Sequence, residues 1–289
     1  MRTGARAGGK SCYQQVEQVE QVVIKKGAAF TERHFTQAPR LLLFDLDGTL
    51  LDSGKEIRES SLRAIEACRR RGILIGVATA RSESTCARFI RPIAPDLLIS
   101  NSGALVRLGG EVLYQCSFTP DETAALVSAG VAEQRGITVD CADVTFSNRR
   151  IDFFNEPGMA YTDFSGFRRS SFKICIEGTD TDFAERTAAR IENCSWLAFS
   201  DCDWFKFSKS NVSKGDALRH VVSGTGIQPE EMIAFGDDYV DVEMLTLCGV
   251  GIAMENAVEE VKRRADAVIG SNDSDAIADF LNEVVLQLV

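Results

Sequence analysis

Leu41-Leu42-Leu43-Phe44-Asp45-Leu46-Asp47-Gly48-Thr49 is a short apolar run that stops abruptly at two acids and a glycine. A run of strand length with no apolar/polar alternation suits a strand buried on both faces of a parallel sheet. Downstream, Lys55 to Arg71 carry Ile57, Leu62, Ile65 and Cys68 at helical spacing, with Gly72 placed as the stop. Ile73 to Ala78 form the next apolar run, ending at Thr79, and Asp96 to Ser100 the third, ending at Asn101-Ser102-Gly103. The beat returns at Met232-Ile233-Ala234-Phe235, which ends in Gly236-Asp237-Asp238, and at Gly249 to Met254. Alternating strands and helices predict an α/β fold with a doubly wound, Rossmann-like parallel sheet. Between them, half-buried runs such as Leu105 to Leu108 and Lys173 to Glu177 predict an inserted α+β unit. The expected organisation is a core of residues 40–101 and 207–289, with a cap of 102–206.

Residues 1–39 stand apart. A Gly, Ala and Arg opening is followed by the repeat Val16-Glu17-Gln18-Val19-Glu20-Gln21-Val22. At most a three-turn helix bearing Val16, Val19 and Val23 could form, too short to be stable alone, so the segment is read as a poorly ordered extension. The amphipathic face of a transit peptide is missing.

The chain has 289 residues, 45% apolar and 26% charged, with a formal charge of -10, a balance that gives no general field for holding a nucleic acid. No apolar run approaches the roughly 18 residues of a spanning helix. Nine cysteines, an odd number with no C-x-x-C, argue against a disulfide framework and a zinc knuckle. A cytoplasmic protein with reduced thiols is expected.

In open parallel sheets ligands bind beyond the carboxyl ends of the strands, where Asp45, Asp47, Thr79 and Asp237 would converge. Two carboxylates flanking a tight turn, joined by Asp237, form a cluster of hard oxygen ligands that a divalent cation would relieve. Few carboxylates plus retained waters describe Mg2+ better than calcium. Taken singly, each residue has a plainer reading: an Asx turn for Asp45 and Asp47, a locally bonded hydroxyl for Thr79, a solvated lysine for Lys214. His34 and His220 match no motif and are read as structural or exposed.

The whole string from Leu43 to Ser53 resembles the first motif of the haloacid dehalogenase-like phosphohydrolases. Val77-Ala78-Thr79-Ala80-Arg81 is similar to their second motif, Val212 to Leu218 to the third, and Phe235 to Leu245 to the fourth, all in family order. Ile99 to Ala104 and Gly251 to Ala257 resemble the Cof-type subgroup with its large α/β cap. The resemblance implies a magnesium-dependent phosphatase acting on a small phosphomonoester, sugar phosphates first, through an aspartyl-phosphate. It implies Asp45 as nucleophile and Asp47 as general acid and base. Thr79, with backbone amides near Leu46 or Ala80, would hold the phosphoryl group, and Lys214 would neutralise it. The metal shell would be Asp45, the Asp47 carbonyl and Asp237, with Asp238 and Asp241 further out, although acids also gather at helix N-termini for the dipole alone. Arg81 either reaches substrate or closes the motif.

Two positions depart from the pattern: Ala80 stands where the subgroup has Gly, and Val240 where it has Asn. Loss of one hydrogen bond to a charged group costs about 1.5 to 3 kcal/mol, so reduced turnover is expected. A phosphomannomutase-like mutase would return the phosphoryl group to sugar, and a non-catalytic phosphate-binding protein would have no chemical need for Asp45, Asp47, Lys214 and Asp237 together. A receiver-type module leaves no place for a cap.

Overall fold

A computed structural model of the chain describes residues 22–23, 37–150, 159–199 and 202–289. Its larger sheet contains β1 (Val22–Val23), β2 (Leu41–Phe44), β3 (Leu74–Ala78), β4 (Leu97–Ser100), β5 (Leu105–Leu108), β6 (Glu111–Gln115), β13 (Met232–Gly236), β14 (Val250–Met254) and β15 (Ala267–Ile269). The strand order is β1-β15-β14-β13-β2-β3-β4-β5-β6, parallel from β1 to β4 and antiparallel beyond. β2 lies in the middle, hydrogen-bonded to β13 and β3.

The unbroken apolar run of β2 follows from this placement. Leu42 and Phe44 pack on one face, in a cluster with helices α1 (Glu59–Arg70) and α8 (Ala276–Glu283). Leu41 and Leu43 pack on the other, with α5 (Lys214–Thr225) and α6 (Val242–Leu247). All four residues are fully buried. α2 (Glu83–Ile90) and α7 (Glu259–Arg264) complete the layers.

A six-stranded sheet, ordered β11-β12-β10-β7-β8-β9, forms the cap. Its strands are β7 (Ile137–Asp140), β8 (Thr145–Ser147), β9 (Met159–Tyr161), β10 (Lys173–Glu177), β11 (Cys194–Ala198) and β12 (Trp204–Lys209). One face carries Ile137, Val139, Ile174, Ile176, Phe205 and Phe207 against α3 (Pro120–Ala132) and α4 (Thr181–Ala188). The other face is more polar and turns toward the core.

Several expectations are corrected. The Leu105 to Leu108 run is not in the inserted unit: β5 and β6 form a hairpin that extends the core sheet antiparallel from β4. Half-buried alternation belongs equally to an antiparallel edge hairpin, so the pattern could not separate the two. At the other junction β12 runs to Lys209 inside the cap sheet, past the expected boundary at 206/207. The chain crosses out between Cys116, bonded to the core at Ala104, and Phe118, bridged to Ser171 of the cap. It returns through Asn211 and Val212, where Val212, Phe172, Ala104 and Leu105 make a small apolar joint. Ile57, expected on the first helix, instead bridges Leu51, and α1 begins at Glu59. Val23 sits in β1, a parallel edge strand on β15, where backbone partners replace those a short helix would have lacked. Val16, Val19 and His34 lie outside the described residues. His220 stacks on Tyr114, ring centroids 3.7 Å apart.

Cys68, Cys86, Cys116, Cys141, Cys175, Cys194 and Cys248 are free thiols. Burial pushes the Cys68 and Cys141 thiols up to about 11 and those of Cys86 and Cys248 up to about 12, which makes them packing residues. No helix among the described residues is long and apolar enough to cross a membrane.

Candidate active site

β2 and β13 are adjacent and parallel, so the residues that follow them, Asp45 and Asp237, emerge side by side at the carboxyl edge of the sheet. The Asp45 amide donates to the Phe235 carbonyl, 3.0 Å, which carries the β2–β13 ladder one residue past the strand. Lys214, the first residue of α5, reaches the same point and is only 1% exposed. Its Nζ lies 2.5 Å from Asp45 Oδ1 and 2.6 Å from Asp241 Oδ1.

Asp241 is fully buried, and its Oδ2 accepts the amides of Asp237 and Asp238, each at 3.1 Å. Both its oxygens are thereby committed. Asp45 and Asp237 each keep Oδ2 without a hydrogen bond among the described residues, while Asp237 Oδ1 accepts from the Thr49 hydroxyl at 2.8 Å. Carboxylate oxygens of Asp45, Asp237 and Asp241 fall within 4.8 Å of one another.

The electrostatics match this crowding. Burial raises the Asp45 carboxyl well above its ordinary value, with Lys214 opposing and Asp241 and Asp237 reinforcing. Burial also brings Asp237 to about 7; the Thr49 hydrogen bond works against the rise and the Asp241 and Asp238 charges add to it. Lys214 is penalised by burial, yet Asp241 and Asp45 outweigh this and hold it above the usual lysine range. A cluster with two open carboxylate oxygens and a surplus of negative charge is the donor set of a hard divalent cation. The proton on Asp237 competes for the same oxygen, so metal affinity measured by calorimetry is expected to strengthen as pH rises from about 6 to 8, with proton release on binding. A flat affinity across that range would remove Asp237 from the metal shell.

Gly48 is required twice over. Its φ is +82°, and a Cβ there would collide with the Asp237 carboxylate, so this turn alone lets the two strand ends approach.

Asp47 corrects the sequence reading. It stands apart from the acidic cluster: Arg81 clamps it with Nε to Oδ2 at 2.6 Å and Nη2 to Oδ1 at 2.8 Å, and Lys55 Nζ adds a third contact at 2.8 Å. Burial favours the neutral acid, but Arg81 and Lys55 prevail and hold the carboxyl at about 2. The expected proton-holding carboxyl is therefore ionised in this arrangement. Arg81 proves to be its partner, a link between two motifs that spacing does not reveal.

Thr79 is buried, and its hydroxyl accepts from the Arg81 amide at 3.1 Å. Ala80 is exposed, and its carbonyl accepts from Lys173 Nζ of the cap at 3.0 Å. Leu46 is fully buried beside the two aspartates. Asp238 caps the turn before α6 through the Tyr239 amide and does not enter the carboxylate cluster, and Val240 is partly buried in that turn. Asn101 and Ser102, both at positive φ, leave Asn101 Oδ1 and Ser102 Oγ buried without hydrogen-bond partners among the described residues. Beside them, Gly103 packs directly on the Ser213 carbonyl that precedes Lys214.

A family profile described as haloacid dehalogenase-like hydrolase matches residues 42–281. A phosphoglycolate phosphatase of Methanopyrus kandleri is 27% identical over 252 residues, 85% of this chain and 97% of its own length. The pyridoxal phosphate phosphatase YbhA of Escherichia coli is 27% identical over 267 residues, covering 84% of this chain and 97% of its own. Among solved structures, the HAD subclass IIB sugar phosphatase BT4131 superposes with a TM-score of 0.73 at 22% identity, over 86% of this chain and all of its own, a likeness of fold. With the ordered motifs, the core-and-cap architecture and the profile in agreement, the chain belongs to the haloacid dehalogenase-like hydrolases.

Proposed function

We propose that the chain is a magnesium-dependent phosphatase that hydrolyses small organic phosphomonoesters, sugar phosphates first among them, through an aspartyl-phosphate on Asp45. One observation carries the reading: Asp45 is buried against Lys214, keeps an open Oδ2, and shares its sheet edge with Asp237 and the Thr79–Arg81 loop. The named activities of the relatives, phosphoglycolate and pyridoxal phosphate hydrolysis, support the same reaction class.

In this reading Asp45 Oδ2 attacks phosphorus and the bond to the leaving alcohol breaks. Lys214 balances charge on the phosphoryl oxygens and keeps Asp45 in line. Thr79 and the amides at Leu46 and Ala80 hold the transferring group at the strand-to-loop turns. Asp47, protonated, donates its proton to the departing alkoxide to give the alcohol, then as carboxylate takes one from the water that cleaves the aspartyl-phosphate and restores Asp45. Its acid role requires Arg81 and Lys55 to release it and a proton to be taken up before the alcohol leaves, whereas as it stands, ionised, it is fit to activate water. Asp45, the Asp47 carbonyl and Asp237 would hold the cation, with Asp241 supporting through Lys214 and the Asp237 amide; when bound, magnesium supplies Lewis-acid neutralisation of the phosphoryl oxygens.

The test is phosphate release from p-nitrophenyl phosphate and a panel of sugar phosphates, with magnesium and with EDTA. Magnesium-dependent release that EDTA abolishes is the expected result. Isomerised sugar phosphate without free phosphate would replace the hydrolase with a mutase, and binding without turnover would leave a phosphate-binding protein.

A further inference from the structure

The cap presents two lysines on the face that meets the core. Lys173 lies on β10, and Lys206, on β12, is directly across from Cys175, so both project from the face opposite Ile174, Ile176, Phe205 and Phe207. That this face meets the phosphoryl-site loop is shown by two contacts: Lys173 Nζ to the Ala80 carbonyl at 3.0 Å, and Thr145 Oγ1 to Ser82 Oγ at 3.1 Å.

The two cations are not equivalent. Lys173 is neutralised by Asp140, 3.0 Å away, and committed to Ala80. Lys206 has no carboxylate and no hydrogen-bond partner among the described residues. Its strongest charged neighbours include Lys173 and Lys214, both repulsive, and burial with these two charges draws it below the usual lysine range. A partly buried cation facing a site, with two like charges beside it, only the Cys175 thiol opposing them and no carboxylate partner among the described residues, is an electrostatic vacancy that an incoming anion fills. The transferring phosphoryl group already has Lys214.

We propose that Lys206 receives a second anionic group on the substrate, a carboxylate or a further phosphoryl group, so the preferred phosphomonoesters carry two charged ends. The inference rests on the phosphatase reading and names the substrate class within it. A Lys206→Met chain keeps the length of the side chain and removes the charge. The measurement is kcat/KM on 2-phosphoglycolate, a hexose 1,6-bisphosphate and ethyl phosphate, for wild type, Lys206→Met and Lys206→Arg. Wild type is expected to favour at least one two-anion substrate over ethyl phosphate, and Lys206→Met to lower that preference at least about tenfold, chiefly through KM. Lys206→Arg should restore most of it. Whether the carboxylate or the bisphosphate shows the loss identifies the group received. A preference ratio unchanged by Lys206→Met overturns the inference while leaving the phosphatase intact. Absence of release from every phosphomonoester overturns the phosphatase reading instead. Calorimetric binding of the same ligands to Asp45→Asn, with and without Lys206→Met, reads the charge preference independently of turnover, and equal affinities would dismiss it.

Discussion

Asp45→Asn is expected to abolish phosphate release, with a loss on the order of 10^4-fold or more, while the protein stays folded. The size follows from the role: an amide cannot form the acyl phosphate, and removing a nucleophile costs nearly the whole catalytic contribution of its group. The persistence of the fold follows from the geometry. Asp45 is a carboxylate that burial already disfavours in its charged form, and an asparagine oxygen can still accept from Lys214, which retains Asp241 at 2.6 Å. The melting temperature should therefore stay within a few degrees of wild type. Thermal melts read beside phosphate release separate the two effects, and a variant with more than about one hundredth of wild-type activity would move the nucleophile elsewhere.

Lys214→Met is expected to fail on both counts. Lys214 is buried between Asp45 and Asp241, so its removal strands two desolvated carboxylates beside Asp237. Breaking a buried pair by deleting one partner costs about 3 to 5 kcal/mol, far more than intact surface pairs contribute. Urea unfolding should show that loss, and the accompanying Asp241→Asn change should recover part of it, since it removes one of the stranded charges. Activity should fall by about 10^2 to 10^3-fold for want of a cation at the phosphoryl oxygens. Wild-type stability in Lys214→Met would mean that the carboxylates are protonated in the folded protein and that Lys214 is not their counter-charge.

The central strands and the positions of Asp45 and Asp237 are legible because their signals are local. Leu41 to Phe44 must be apolar throughout when both faces are covered, and the chain must turn polar where it leaves the sheet, which places Asp45 and Asp237 without knowledge of anything distant. Lys214 was marked by its motif, while its twin partners were only half visible, since Asp241 resembles an ordinary acid at a helix start. A contact made across space leaves no such local signal. Two residues from Asp45, Asp47 reads in sequence as part of one acidic cluster, yet Arg81, thirty-four positions away, makes its side chain a cation-clamped carboxylate. β5 and β6 read in sequence as cap strands because edge hairpins and α+β strands share one alternation. Lys206 carries no motif at all: only the β10–β12 register and the contacts of Lys173 and Thr145 show which face it occupies.

The junctions between core and cap carry a consequence for how the site is covered. Ser117 alone separates a core-bonded residue from a cap-bonded one on the way out, and Asn211 with Val212 make the return, joined at Val212, Phe172, Ala104 and Leu105. Leashes this short span at most about 10 Å even when fully drawn out. The lysine-bearing sheet cannot drift far from Asp45, so its effective concentration there is millimolar or higher and little chain entropy opposes its return over a bound phosphate. Binding energy from the substrate can then go to aligning the phosphoryl group, with almost none spent on gathering the two halves of the site.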